Sequence, residues 1–427
     1  MQTFGKTVRN SLPAIGLGLL GALGLASVTL VAAPAAVAQQ APAGIKAKKE
    51  FVDNYNAANA ALAAKDWQGA IAKADAALPF ASDNQQKCVL DQIRTSAYFA
   101  LKNHVEVIKN GEEAISLGCI QGEQLKNYKQ MLAGSYAETG NEAKAFELTK
   151  SFIDEYGGSS EQYGFLANKA LKAQNNDEAI KYAQKAIDQA AKESKKPDNF
   201  YNILLAAYQN SKNMDAFYET LFRVAPVLNN EKYWRPLIAR AMQEPKYKKQ
   251  EAEVDVLHAL AATGAQLKQE EQRSLGEQAY IRGSAIEAEQ ALTPLVQSGF
   301  FGGAQDKEAD RSKRLFESIK AQAKADKAGG LDQSAKEAAS KPTGAVFVST
   351  GEAYYGAGEY AKAADMFQKG IDKGQMEPGA TELAKLRLGM AQFKAGQKDA
   401  AVKTWSGVTG DNGAAWLAKV WTAYSKV

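Results

Sequence analysis

"STGEAYYGAGEYAKAADMFQKGID", residues 349–372, places a small residue, an aromatic, a turn residue, a second small residue and a second aromatic at fixed distances: Gly351, Tyr354, Gly358, Ala363 and Phe367. Residues 276–292, "GEQAYIRGSAIEAEQAL", keep the same offsets with Gly276, Ala279, Gly283, Ala288 and Leu292. This spacing predicts two amphipathic helices of about 14 residues each, joined by a tight turn. A small residue on each helix lets the two backbones approach where they cross. The aromatics fill the space beside the crossing and reach the next hairpin.

The pattern extends along the chain. Downstream it returns as Gly389, Gly396, Ala401 and Trp405. Upstream it returns as Ala133, Tyr136, Gly140 and Ala145, then as Ala167, Ala170, Ala179 and Ala183, with Leu205 and Tyr208 in the corresponding places further on. Ala58, Ala61, Ala70 and Ala74 carry it near the start, and Thr95, Tyr98 and Ala114 fit less well. Two intervals, from 205 to 276 and from 276 to 351, are double length and leave room for degenerate units. A lone hairpin cannot bury both faces, so such units stack on their neighbours. Pro is scarce and Ala abundant, and alternating β-branched runs are almost missing, so the chain reads as all-α.

These residues resemble the tetratricopeptide repeat family. The resemblance rests on Leu132-Ala133, Leu166-Ala167, Leu275-Gly276 and Leu388-Gly389 on the first helices, followed by Tyr136, Tyr208 and Tyr354. On the second helices it rests on Ala70, Ala145, Ala179, Ala288, Ala363 and Ala401. It covers most of residues 50–412. Several units run longer than the family's usual length, and Pro79 and Pro226 fall earlier than a repeat-ending proline. The resemblance implies an α-solenoid of helix-turn-helix repeats wound as a right-handed superhelix, with a concave face that takes protein or peptide partners. The expected organisation is about five repeats over 51–228, a degenerate hairpin over 229–270 and a repeat over 271–300. A degenerate Lys/Ala-rich segment over 301–342, two repeats over 343–412 and a capping helix over 413–427 complete it, the last from the stripe Trp416, Val420, Trp421 and Tyr424.

Residues 1–38 read separately. Lys6 and Arg9 precede an apolar stretch that ends in Ala36-Val37-Ala38, the form of an export signal cut after Ala38. The competing reading is an uncleaved anchor in an inner membrane, since the stretch is about 20 residues long. After cleavage no membrane span is expected, and the location implied is a Gram-negative periplasm. Residues 39–50 read as a mobile leader. The segment 1–38 holds two of the 52 basic residues and none of the 48 acidic ones, leaving 50 against 48, a net of +2. That balance offers no concentrated basic face for nucleic acid.

The two cysteines, Cys88 and Cys119, flank a helical hairpin expected over 86–101 and 104–117 with its turn at Lys102-Asn103. Antiparallel pairing about that turn brings Cys119 close to Cys88. In an oxidising compartment they either close a disulfide or stay as two buried thiols. The only histidines, His104 and His258, lie in different hairpins. No H-E-x-x-H, C-x-x-C or G-x-S-x-G occurs, so no metal or cofactor is expected and no enzyme is indicated. The glycines of 16–21 match a dinucleotide motif but sit inside the export segment with no strand before them.

Two candidate sites remain. Asn127, Gln130, Asn168, Asn199, Asn202, Gln209 and Asn210 occupy inward positions on three successive first helices. Their donors and acceptors match a peptide backbone without demanding particular side chains; the alternative is that they only solvate exposed helices. Val348, Tyr355, Leu386, Met390 and Phe393 form an apolar cluster suited to a hydrophobic anchor, or simply pack against the capping helix. The reading is therefore a non-enzymatic periplasmic scaffold for an envelope or outer-membrane complex. An accessory role in exopolysaccharide export is the alternative, and an envelope enzyme built in the degenerate blocks is a second.

Overall fold

The computed structural model describes residues 48–304, 306–377 and 379–427. The export segment and residues 39–47 of the leader lie outside the described residues. Among the described residues the first helix begins at Lys49, so the last leader residues are helical, with Glu50 in a first turn that favours acidic groups. Among the described residues there is no strand, and no helix is long and apolar enough to cross a membrane. The protein is an all-α array of stacked helical hairpins.

The chain divides into two compact units. In residues 48–213, α1 (Lys49–Ala63) pairs with α2 (Trp67–Ala77), and α3 (Asn84–Ala100) with α4 (His104–Ser116). The next pairs are α5 (Gly122–Glu138) with α6 (Glu142–Tyr156) and α7 (Ser160–Lys172) with α8 (Asn176–Lys192); α9 (Asp198–Asn210) follows. Each second helix also packs on the first helix of the next hairpin. Small separate clusters fill these layers, among them Ala58, Ala70, Ile71, Leu90 and Ile93 in one, and Ala186, Ala190 and Phe200 in another. That is how a solenoid buries apolar surface without a central core.

The second unit holds α10 (Met214–Leu228), α11 (Glu231–Arg240) and α12 (Lys249–Ala262), then the hairpin of α13 (Gln269–Ile281) and α14 (Ala285–Gln297). Next, α15 (Ala309–Ala325) is joined to α16 (Leu331–Ala338) by a π-turn over Asp326–Gly330, where Gly329 takes φ 107°. The last hairpins are α17 (Ala345–Gly356) with α18 (Tyr360–Lys373) and α19 (Ala380–Lys394) with α20 (Lys398–Ser406), followed by α21 (Ala414–Tyr424). Both degenerate blocks are thus helical. The boundary between units falls at 213/214, inside the block expected over 51–228.

The C-terminal helix does more than cap the last hairpin. On one side Trp421 stacks on Trp405 with ring centres 5.8 Å apart. On the other, Trp416 packs on Tyr218 and Phe222 of α10 and donates its indole N–H to the Leu237 carbonyl at 2.6 Å. Tyr424 meets Trp234 of α11 at 5.7 Å, and the Lys246 amide donates to the Asp411 carbonyl. So α21 joins the last hairpin of this unit to its first helices, and the helices form a closed circuit.

The repeated spacing has a backbone cause. Lys65, Lys102, Gly140, Gln174, Gly283, Gly358 and Gly396 all take the left-handed conformation after a first helix. In each case the amide of the next residue donates to a carbonyl five residues back at 2.8–2.9 Å, as from Glu359 to Tyr354 and Ser284 to Ala279. This helix-ending bond fixes the offset between the aromatic or small residue and the turn. In the first unit the following residue also caps the second helix: Asp66, Asn103, Asn141 and Asn175 each accept from the amide three residues on.

At the crossings, a Cβ on Gly351 would lie 2.8 Å from the Phe367 ring, and one on Gly276 or Gly389 would collide with Leu292 or Trp405. Ala288, Ala363 and Ala401 are fully buried on the facing helices, and Tyr354 lies alongside, its hydroxyl donating to Asp332 at 2.6 Å. Cys88 of α3 and Cys119, just ahead of α5, are joined as a disulfide with Cα atoms 6.4 Å apart. Closing a loop of that length contributes about 3–4 kcal/mol.

Replacing Asn175 by Ala removes a cap and is expected to cost about 1 kcal/mol in urea denaturation. Glu359→Ala, at the equivalent turn position with no side-chain cap bond, is expected to stay within about 0.5 kcal/mol of the parent.

Candidate functional site

The sequence-selected amides lie on α5, α7 and α9. Asn127 and Gln130 on α5 are half-buried, as are Asn202 and Gln209 on α9, whereas Asn199 and Asn210 are exposed. Asn168 on α7 is only 8% exposed, and its side-chain oxygen, closed off from solvent, accepts no hydrogen bond. Leaving such an acceptor unmatched costs about 1–3 kcal/mol. Helices α7 and α9 pack directly on each other, Gly164 giving room for the Phe200 ring, while α6 bridges α5 to α7.

Several charged groups on these helices pair with neighbouring charges. Lys129 pairs with Glu155 at 2.5 Å, Lys126 with Glu123 at 3.2 Å, Lys169 with Glu142, and Lys195 with Glu161 at 2.6 Å. Glu193 accepts from the Ser160 hydroxyl at 2.7 Å and from its amide at 3.1 Å. Burial raises its pKa, but these bonds, with Lys195 and Gln189, outweigh it and lower the carboxyl to about 2. The end of α8 is thereby pinned to the start of α7.

The apolar candidates do not gather into one open pocket. Val348, Leu386 and Met390 are buried. Phe393 sits among Trp405, Trp421 and Tyr424 at 5.9–6.0 Å, so the C-terminal helix already covers it. Tyr355 and Met390 instead line a cavity that they share with apolar residues such as Val254 and Phe367 and with a cluster of charged ones.

That cavity lies at the meeting of α12, α13, α14, α17, α18 and α19, and the sequence reading did not single out its charged residues Asp255, Arg282, Glu287, Glu352 and Arg387. Arg387 grips Asp255 with two parallel bonds, Nε to Oδ1 at 3.0 Å and Nη2 to Oδ2 at 2.8 Å. Its Nη1 meets Glu352 at 2.5 Å, and Nη2 also donates to the Glu251 carbonyl at 2.6 Å. Arg282 donates to the same carbonyl and lies 3.7 Å from Asp255 and 3.6 Å from Glu352. His258 pairs with Glu287 through Nε2, and the Tyr355 ring lies 5.0 Å from the imidazole.

Burial alone would raise Asp255, yet Arg387 and Arg282 outweigh it and hold its pKa below the ordinary carboxylate value. Burial would depress His258, yet Glu287 and then Asp255 push it above the ordinary imidazole value. Burial pushes the Tyr355 phenol well up, with Glu287 adding to it. The free space, about 20 Å³, holds about one water molecule. No substrate fits there. A local signal existed: Asp255 and Arg387 each interrupt an apolar run, "EVDVLHAL" and "KLRLGM". His104 opens α4, with its Nδ1 3.2 Å from the Ser135 hydroxyl. Among the described residues no group of three or more His, Cys, Asp or Glu is placed to hold a metal ion.

No protein-family model and no curated protein matches the sequence. Among solved structures, the crystal structure of the APC/C hetero-tetramer Cut9-Hcn1 aligns with 83% of this chain and 73% of that one, at 11% identity and a TM-score of 0.20. A likeness that low carries no residue or partner across.

Removing one member of the Arg387–Asp255 pair strands a buried charge. Arg387→Met is expected to cost about 3–5 kcal/mol in chemical denaturation, while the double change Arg387→Met with Asp255→Leu recovers much of the loss.

Proposed function

We propose that this chain is an exported, non-enzymatic scaffold that holds an extended polypeptide segment along the first-helix face of residues 48–213. The observation that carries the reading is a run of solvent-reachable amides on two of the first helices, Asn127 and Gln130 on α5 and Asn199, Asn202, Gln209 and Asn210 on α9, with Asn168 of α7 between them. An extended peptide offers N–H and C=O groups along its length, and neutral amides meet these without selecting a charge. The ion pairs that several charged side chains of these helices already form favour a partner held by its backbone over one held by its charges. The cysteine pairing favours an oxidising compartment, in keeping with the periplasm.

The test is selection of short peptides from a random displayed library on the full chain. Recovered peptides are expected to lose about tenfold in affinity for Asn127→Ala with Gln130→Ala, the loss of about 1.4 kcal/mol of hydrogen bonding. Peptides that bind the double variant unchanged, at unchanged helicity, remove the amide-face reading. Export carries a separate expectation, that N-terminal sequencing of the mature chain begins at Gln39.

A further inference from the structure

The charges around the second unit's cavity are not evenly matched. Asp255 and Glu352 each have an arginine: Arg387 binds both, and Arg282 stands beside both. Glu287 has neither arginine nor lysine. Its partners are the His258 imidazole and, more distantly, the Ser284 hydroxyl at 3.4 Å. Around His258 stand Asp255 on its own helix, Arg282 at the end of α13, Glu287 and Ser284 on α14, Glu352 and Tyr355 on α17, and Arg387 on α19. Tyr360 of α18 backs Tyr355 at 5.2 Å. Two arginines and one imidazolium balance the three carboxylates; two arginines alone do not. With space for about one water, solvent has little room to compensate the difference.

We propose that His258 and Glu287 form a proton-operated latch, in which the imidazolium completes the charge balance that holds α12 against α14 and α17, and its deprotonation loosens that contact. The neutral ring can still donate through Nε2, so the hydrogen bond survives deprotonation while the charge balance is lost. Glu287 and Asp255 outweigh both the burial of the imidazole and the opposing Arg282, so the proton is held more firmly in the folded state than in the unfolded one. The sign follows from linkage. The latch contributes its full stability below the unfolded-state value of about 6.5 and loses it as pH rises through the higher folded-state pKa.

The experiment is urea unfolding of the full chain across neutral and alkaline pH. It is followed by tryptophan fluorescence, to which the second unit contributes Trp234, Trp405, Trp416 and Trp421. Between pH of about 6.5 and the folded-state pKa, the unfolding constant is expected to rise up to about tenfold per pH unit. In His258→Gln, which keeps a donor but cannot take the proton, that rise is expected to vanish. Equal pH dependence in parent and variant overturns the latch. Should His258→Gln fail to fold, proton NMR of the parent decides instead, because His104 and His258 are the only imidazoles. His258 is expected to titrate above about 6.5 and to fall on Glu287→Gln; titration at or below that value overturns the proposal.

Discussion

Everything in this fold rests on how closely two helix backbones approach at the middle of each hairpin. Where Gly351 meets Phe367 and Gly389 meets Trp405, no room exists for even one added carbon without moving an aromatic ring. The small residue thus sets the separation of the pair, and the ring it admits becomes part of the layer reaching the next pair. Interiors packed at such density transmit any misfit to their neighbours. The spacing in the sequence is therefore a record of geometry: the left-handed turn fixes where the second helix starts, and the crossing fixes which residues must be small.

The two units use this module to different ends. In residues 48–213 the apolar surface is buried in thin layers between successive hairpins. In residues 214–427 the last helix packs against the first ones through Trp416 and Tyr424, so the unit closes upon itself. Closure draws side chains of α12, α13, α14, α17 and α19 to one place, and polar residues that an open array would leave wet become buried. A ring of amphipathic helices acquires an interior that a row of them does not have.

Much of this was readable beforehand. Helix pairs over the patterned stretches, the turn at Lys102-Asn103, the nearness of Cys88 to Cys119 and the helical C-terminal stripe all follow from local periodicity, which a single sequence contains. Closure of the second unit does not follow, because the bond from Trp416 to the Leu237 carbonyl joins residues separated by 179 positions. The same holds for Arg387 and Asp255, 132 positions apart. Whether apolar residues such as Phe393 and Met390 meet a partner or their own chain depends on that closure. Asn168 could be assigned to a first helix from its spacing, whereas its unmatched oxygen is a property of the packed neighbours.

Buried ion pairs give weak support to stability, since desolvating each charge costs about what the attraction returns, and apolar replacements often serve as well. The cluster around Asp255 and Arg387 is better understood as a device of position. The bidentate grip has one good geometry, and Arg387 shares its remaining donors between Glu352 and the Glu251 carbonyl, so α12, α17 and α19 meet in one register. An apolar centre would tolerate sliding among helices whose small residues recur so regularly along the chain. Hairpins that share one packing pattern have several nearly equivalent ways to pack, and a charge constellation that fits one arrangement separates it from the rest.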